Sequence, residues 1–408
     1  MRILLVNRAD AEGGAARAAY RLHRALLGQG LDSTLAVDLA DTGDPSVIGR
    51  STPVAGALAR LRSMAGSATL LLAGASIAEP RSTAVVPSRW GRRLGALAPD
   101  VLHLHWINQD MLSIAAIGAL QGPIVWTLHD MWAFCGTEHY PSTERWRDGY
   151  RRGTRLAGDR GVDVDRWTWR RKRRHWTRPV HIVAPSRWMA DCVRASRLMC
   201  DWPVTVIPNA IDTDVWQPVE RGLARSLLGL PPDGPLLLFG AAGGGRDPRK
   251  GLDLLLDGLA LLRDDRDRPG LVVLGRHRDA VPRVDGFAIH GTGPLRDDLT
   301  LRLAYSAVDA VAVPSRQDNL PNGAVEALAC GVPVVAFDTC GLPDVVRHRQ
   351  TGWLARPFDA ADFATGIRWV LADTERHAAL REAARADAVA RFSAPVVAAA
   401  HEALYRSL

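Results

Sequence analysis

Residues 309–335 read Asp309-Ala-Val-Ala-Val-Pro314-Ser-Arg-Gln-Asp318-Asn-Leu-Pro-Asn-Gly-Ala-Val-Glu326-Ala-Leu-Ala-Cys-Gly331-Val-Pro333-Val-Val. The run from Asp309 is short, apolar and stopped by proline, the pattern of a buried parallel strand that feeds a loop at its carboxyl end. Ligands of open α/β sheets bind at that edge. Ala324 to Cys330 then has helical apolar spacing, so a helix start with its positive dipole end lies beside Asp318. Such a start attracts oxygen-rich or anionic ligands, and the two carboxylates of Asp318 and Glu326 straddle it.

The same alternation of short apolar strands and helical segments runs through both halves of the chain. In the first half the strands are Ile3 to Val6, Thr34 to Val37, Val101 to Leu104, Ile124 to Leu128, Ile182 to Ala184 and Val204 to Ile207. In the second they are Leu236 to Phe239, Leu271 to Leu274, Ala288 to His290, Ala310 to Val313 and Val334 to Ala336. The irregular, proline-bearing run Thr213 to Pro235 reads as the crossing between domains. The expectation is an α/β protein with two doubly wound, Rossmann-like domains, 1–212 and 213–390. A final helix, 391–408, set off by Phe392-Ser-Ala-Pro395, would fold back on the first domain. No repeat of 20 to 50 residues is apparent, which argues against a solenoid.

The chain has 408 residues, more than one core usually holds, and a formal net charge of +7. That charge favours anionic partners: nucleotide diphosphates, acidic lipid surfaces or nucleic acid. The five cysteines are scattered and form no CxxC pair, which argues for reduced thiols in a cytosol rather than a disulfide framework. Met1 to Asn7 reads as a strand, not a secretory leader. Met64 to Ala78 is rich in Leu and Ala but shorter than the roughly 20 residues of a membrane span, which leaves room for a helix lying on a membrane surface.

Five stretches carry candidate chemistry. Gly13 and Gly14 follow the first strand and precede the helical run Ala15 to Leu27, so they permit close approach of a phosphate to the backbone, or simply a tight turn. The sequence lacks GxGxxG there, and Asp38 is only a generic acid at the next strand's end, so a dinucleotide fingerprint is absent. Gly240-Ala-Ala-Gly-Gly-Gly245-Arg246-Asp-Pro-Arg249-Lys250-Gly251 sets three cations in a glycine-rich loop between a strand and a helix. Arg246, Arg249 and Lys250 could grip a diphosphate and offset the charge that grows as it leaves, without a metal; the alternative is a solvated basic loop. His129 and Asp130 end the strand from Ile124, where His129 could bond a substrate hydroxyl or rest as a satisfied structural histidine. His103 and His105 share one strand face and read as cleft lining or core, with a metal cluster as the weaker alternative.

The fifth stretch is the densest in charge. Arg166-Trp-Thr-Trp-Arg170-Arg-Lys-Arg-Arg174-His-Trp176-Thr-Arg178 could meet acidic headgroups or an anionic acceptor, but a run of this kind is usually a solvated helix face. No nucleic-acid-binding motif surrounds it, so nucleic acid is not expected as a partner.

Together GGAARAAYRL from Gly13, TLHDMW from Thr127, VAPSRWM from Val183, VIPNAIDTDVW from Val206, DPRKG from Asp247 and the Asp318-to-Glu326 segment resemble the GT-B glycosyltransferases of family 4, over nearly the whole chain. That retaining family includes exopolysaccharide and lipopolysaccharide sugar transferases. The resemblance implies two Rossmann-like domains around a cleft, a UDP- or GDP-sugar donor as co-substrate, and no cofactor or metal. It implies that Glu326 binds the donor ribose, and that Asp318 with the backbone of Asn319, Leu320 and Pro321 holds the donor sugar. Lys250 with Arg246 or Arg249 would hold the diphosphate, Gly14 would approach the phosphates, and His129 would face the reacting sugar or acceptor. The family typically has glutamate at both carboxylate positions, whereas the first is the shorter Asp318 here. Relatives with the HDMW pattern often carry cysteines downstream of it that this chain lacks.

The function expected is transfer of a sugar from a nucleoside diphosphate sugar to a hydroxyl of a saccharide or lipid-linked saccharide, in a cytoplasmic protein that could touch an anionic membrane. A natural-product acceptor such as an aminoglycoside core, a nucleotide-sugar epimerase on the same plan, and a non-catalytic surface-binding protein are the alternatives.

Overall fold

The computed structural model describes residues 1–49, 53–74, 80–156, 161–240, 247–275, 284–295 and 297–408. Two compact units emerge: Met1–Pro208 with Ala398–Leu408, and Asn209–Val397.

The first unit is built on β1 (Arg2–Ala9), β2 (Asp32–Leu39), β3 (Val47–Ile48), β4 (Val101–Leu104), β5 (Ile124–Thr127), β6 (His181–Ala184) and β7 (Val204–Val206). They form one parallel sheet ordered β3-β2-β1-β4-β5-β6-β7. Between them run α1 (Gly14–Gly28), α2 (Pro53–Leu72), α3 (Trp90–Leu97), α4 (Ile114–Gly118), α5 (Arg145–Asp148), α6 (Val164–His175) and α7 (Arg187–Ala195). Residues of β1, β4, β5 and β6 are buried on both faces, as helices covering both sides of a parallel sheet require.

The second unit contains α8 (Arg221–Leu227), β8 (Leu236–Gly240), α9 (Leu252–Ala260), β9 (Gly270–Leu274), β10 (Ile289–Gly291), α10 (Asp298–Ser306), β11 (Ala310–Val313), α11 (Asn322–Ala329), β12 (Val334–Phe337), β13 (Gly352–Ala355), α12 (Ala360–Leu371) and α13 (Thr374–Phe392). Its parallel sheet is ordered β10-β9-β8-β11-β12-β13. The last helix, α14 (Ala394–Arg406), delivers residues from Ala398 onward to the first unit, where the Tyr405 hydroxyl shares a 2.6 Å hydrogen bond with His103 Nδ1.

The strand order reverses direction between β1 and β4 in one sheet and between β8 and β11 in the other. At such a switch point the loops leaving two neighbouring strands diverge to opposite faces and leave a crevice at the carboxyl ends. The start of β11 is locked by a buried ion pair. Arg225 Nη2 donates to Asp309 Oδ2 at 2.8 Å, and the same carboxylate accepts the Leu236 amide at 2.8 Å, so β8 and β11 are clamped at their entry ends.

Every strand expected from the apolar pattern is present, within two residues at most ends. β3 and β13 were not anticipated. A two-residue strand has no periodicity to read, and Gly352-Trp-Leu-Ala offers neither alternation nor β-branched residues. Thr213 to Pro235 was expected to be an irregular crossing. Instead it carries α8 and sends Trp216, fully buried, into the second unit's core against Tyr305.

Candidate functional site

In the second unit the site grows from the switch point. β8 pairs β11 with Leu238 beside Val311, so the segments that follow these strands start side by side. Pro248–Lys250 forms one 3-10 turn, opened by Asp247, whose side chain accepts the Arg249 amide at 3.0 Å. Gly251 closes it at φ +67. A Cβ on Gly251 would stand 1.9 Å from the Pro314 carbonyl oxygen, so only glycine lets this turn press against the end of β11. Arg316 completes the strap: its amide donates to Arg249 O at 2.7 Å, and its Nη1 donates to Pro248 O at 2.9 Å and to Asp253 Oδ1 at 2.7 Å.

Held this way, Lys250 Nζ donates to Asp318 Oδ2 at 2.6 Å, and Ser315 Oγ donates to the same oxygen at 3.2 Å. Asp318, Asn319 and Leu320 are buried, and Pro321 caps α11. Asn322, the first residue of α11, accepts from Asn209 Nδ2 at 3.0 Å. Glu326 lies one turn further, 4% exposed, and accepts from the Tyr305 hydroxyl at 3.1 Å. Gly323 makes room for that hydroxyl, which a Cβ there would approach to 3.0 Å. A cation, two carboxylates and a helix start thus converge on one sheet edge.

The expected cluster of three cations is only partly placed. Arg249 turns to Asp247, with Nη2 to Oδ2 at 2.5 Å, while Lys250 turns to Asp318. Arg246 lies outside the described residues.

In the first unit Gly13 caps α1 at φ +95, with open space where a Cβ would stand, and Gly14 begins the helix. No packing crowds Gly13, which leaves the backbone there open to approach. His129 follows β5 by two residues. Its Nε2 shares a 3.0 Å hydrogen bond with His105 Nδ1, and the two rings stack at 5.2 Å. His129 is half-buried by surface area, yet the packing around its ring depresses its basicity to about 4, so the ring is neutral at pH 7. Burial likewise holds His103 and His105 well below the usual range. His103 is satisfied by Tyr405 on one nitrogen and by Thr127 Oγ1, at 2.7 Å, on the other. Among the described residues no group of three or more His, Cys, Asp or Glu is arranged to hold a metal ion.

Asp130 has a structural task. Burial acts to raise its pKa, but His139 at 2.6 Å, the Trp132 amide at 2.9 Å and Trp106 Nε1 at 2.8 Å outweigh it and hold the carboxyl low. The basic run 166–178 is mostly α6, with Arg170, Arg173 and Arg174 exposed. Its lysine is the exception. Lys172 is fully buried, donates to the carbonyls of Trp132, Cys135 (3.0 Å) and Gly136 (2.8 Å), and sits 3.8 Å from the centre of the Trp132 ring. It pins the segment that follows His129. The signal was present as spacing: Trp169, Lys172 and Trp176 recur at helical intervals on one face, which places the lysine with the buried tryptophans.

Sequence comparison agrees with this division. A family model described as Glycosyltransferase Family 4 matches residues 12–215, and one described as Glycosyl transferases group 1 matches 236–373. Curated relatives include the D-inositol 3-phosphate glycosyltransferase of Jonesia denitrificans, 34% identical over 199 residues, 45% of this chain and 46% of that one. The enzyme of the same name from Xylanimonas cellulosilytica is 37% identical over 238 residues, 54% and 55% of the two chains. The chain therefore spans about half the length of the curated relatives it matches. Among solved structures, sucrose-phosphate synthase from Thermosynechococcus elongatus superposes with a TM-score of 0.67 at 18% identity, covering 100% of this chain and 99% of that one. Anabaena HepE in complex with UDP-glucose gives 0.65 at 18% identity, covering both chains completely. At that identity the likeness is one of fold, two Rossmann-like domains of the GT-B kind. With one family model over the first unit and a glycosyltransferase model over the second, the chain belongs to glycosyltransferase family 4.

Proposed function

We propose that this chain moves a sugar from a nucleoside diphosphate sugar to a hydroxyl of a saccharide or lipid-linked saccharide acceptor, with retention of anomeric configuration and without a metal ion. The observation that carries the reading is the Lys250–Asp318 pair at the β8/β11 switch point, with Glu326 one turn into α11. Lys250 supplies a compact positive charge for the diphosphate, and Arg249 or Arg246 a second. Asp318 and the backbone of Asn319, Leu320 and Pro321 hold the sugar, and Glu326, kept in place by Tyr305, accepts from the ribose hydroxyls. HepE has been captured with UDP-glucose, which supports a donor of that class for this fold. The name of the curated relatives adds a phosphorylated inositol to the acceptors to be screened.

In this reading the acceptor hydroxyl attacks the anomeric carbon from the face the diphosphate leaves. The bond to the diphosphate oxygen breaks, the departing oxygen takes the hydroxyl proton, and Lys250 stabilises the charge that develops. The neutral His129 is a hydrogen-bond partner for a sugar hydroxyl. The test is product analysis with and without acceptor. A new glycoside of retained configuration formed only when acceptor is present supports transfer. An altered sugar nucleotide formed without acceptor would instead establish an epimerase.

A further inference from the structure

Helix α2 is mounted inside out. Its domain-facing side is small and polar: Arg62 bonds Asp38, Thr69 Oγ1 shares a 2.9 Å hydrogen bond with Thr83 Oγ1, and Gly66 lies so close to Asp110 that a Cβ would stand 1.8 Å from Oδ2. Among the described residues, Ala59, Gly66 and Leu70 are its buried positions. The solvent side holds the bulk. Val54 (71% exposed), Leu58 (47%), Leu61 (58%), Met64 (66%), Leu71 (57%) and Leu72 (87%) fall on one arc at 100° per residue, interleaved with Ala57, Ala65 and Ala68. A run of this length and exposure is far from the scattered single apolar residues normal on a surface.

Among the described residues, the exposed charges of α2 and of the two helices tied to it are arginines. α2 carries no acidic residue and exposes Arg60. α3 shares the anchor of α2, since Trp90 Nε1 donates to the same Asp38 carboxylate at 3.0 Å, and α3 brings exposed Arg89 and Arg92 at its start. α6 is tied in through Arg171, which donates to Thr83 O at 3.0 Å, and its exposed side shows Arg170, Arg173, Arg174 and Trp167. An apolar stripe on α2, with exposed arginines and an aromatic ring on the helices tied to the same segment, matches the interface of a bilayer with acidic headgroups. A second copy meeting through this face would set arginine against arginine. Among the described residues no helix is long and apolar enough to cross a membrane, so α2 would lie on one.

We propose that α2, with the arginines of α3 and α6 beside it, docks the first unit on an anionic lipid surface, the apolar arc entering the headgroup region. This stands apart from the donor-site reading, since no residue is shared between them.

The test is vesicle flotation of the full chain with phosphatidylcholine vesicles, pure or containing about one-third phosphatidylglycerol. The wild type should float with the acidic vesicles and not with the neutral ones. Leu61→Asp combined with Met64→Asp should reduce the bound fraction about tenfold or more at unchanged melting temperature, because both side chains are exposed. Arg173→Glu with Arg174→Glu should weaken binding to acidic vesicles in a salt-dependent way. Failure of the wild type to float, or equal flotation of the α2 variant, would overturn the proposal. So would a dimer, seen by light scattering and abolished by the same α2 substitutions, in a wild type that ignores vesicles. Nucleotide-sugar titrations of the same samples report separately on the donor site.

Discussion

Lys250 Nζ and Asp318 Oδ2 stand 2.6 Å apart although 68 positions separate them in the chain. The pairing follows from topology, because β8 and β11 are hydrogen-bonded neighbours whose following loops begin at the switch point. Loss of the ammonium should therefore act on the charge that develops during departure of the diphosphate. Lys250→Ala is expected to lower turnover of bound donor by about 100-fold or more, with a smaller effect on the apparent donor affinity. Steady-state kinetics with kcat and KM resolved check this, and near-normal kcat would remove Lys250 from the reaction.

Gly251 is the hinge of that arrangement. Gly251→Ala forces a Cβ into the Pro314 carbonyl at a left-handed φ, so the 3-10 turn must move away from β11. A destabilisation of about 1–3 kcal/mol is expected, together with loss of activity out of proportion to the loss of folded protein. Denaturant melts and kinetics on the same preparation separate the two. Wild-type activity in Gly251→Ala would show that the position of the turn does not matter.

Lys172 is a structural lysine in a basic helix. Burial lowers its pKa to about 7, and three carbonyls with the Trp132 face compensate the buried group. Lys172→Ala leaves those carbonyls unpaired and opens a cavity, for an expected cost of about 2–4 kcal/mol. Arg173→Ala, an exposed neighbour, should cost less than about 1 kcal/mol. Similar losses from both would argue against the buried role.

The buried histidines predict an acid-sensitive fold. His129 and His23 are both depressed to about 4 by burial, so the unfolded chain binds protons from about pH 6.5 downward while the folded chain does not. Stability contributed by their neutral forms is present above pH 6.5 and lost as pH falls toward 4. Each contributes a loss on the order of 2 kcal/mol by pH 5, and His103 and His105 shift in the same direction. Thermal melts between pH 7.5 and 5 should show a steep fall in Tm, which substitution of His23 by a neutral residue partly removes.

Much of this was legible in the sequence because parallel strands buried on both faces announce themselves as apolar runs, as Ala310 to Val313 does before Pro314. The carboxylates Asp318 and Glu326 and the cation Lys250 could be named because each follows a strand end. Their partners could not: Tyr305 and Asn209 reach the site only through tertiary packing, and Ser315 and Arg316, though in the same stretch, have no local pattern that names the groups they bond. Lys172 was hidden for a different reason. A lysine among arginines reads as solvated charge, and only its helical spacing with Trp169 and Trp176 distinguishes it. The inverted mounting of α2 was equally invisible, because composition shows an apolar helix but not which side faces outward.

In the proposed reaction the β8/β11 switch point holds a nucleoside diphosphate sugar. Calorimetric titration of UDP, GDP, dTDP and their sugars into the wild type and Glu326→Ala tests it most directly. Selective binding of one nucleotide family, lost in Glu326→Ala without loss of folded protein, is the predicted result. Binding of none of them by the folded wild type, or undiminished binding by the variant, would contradict the account.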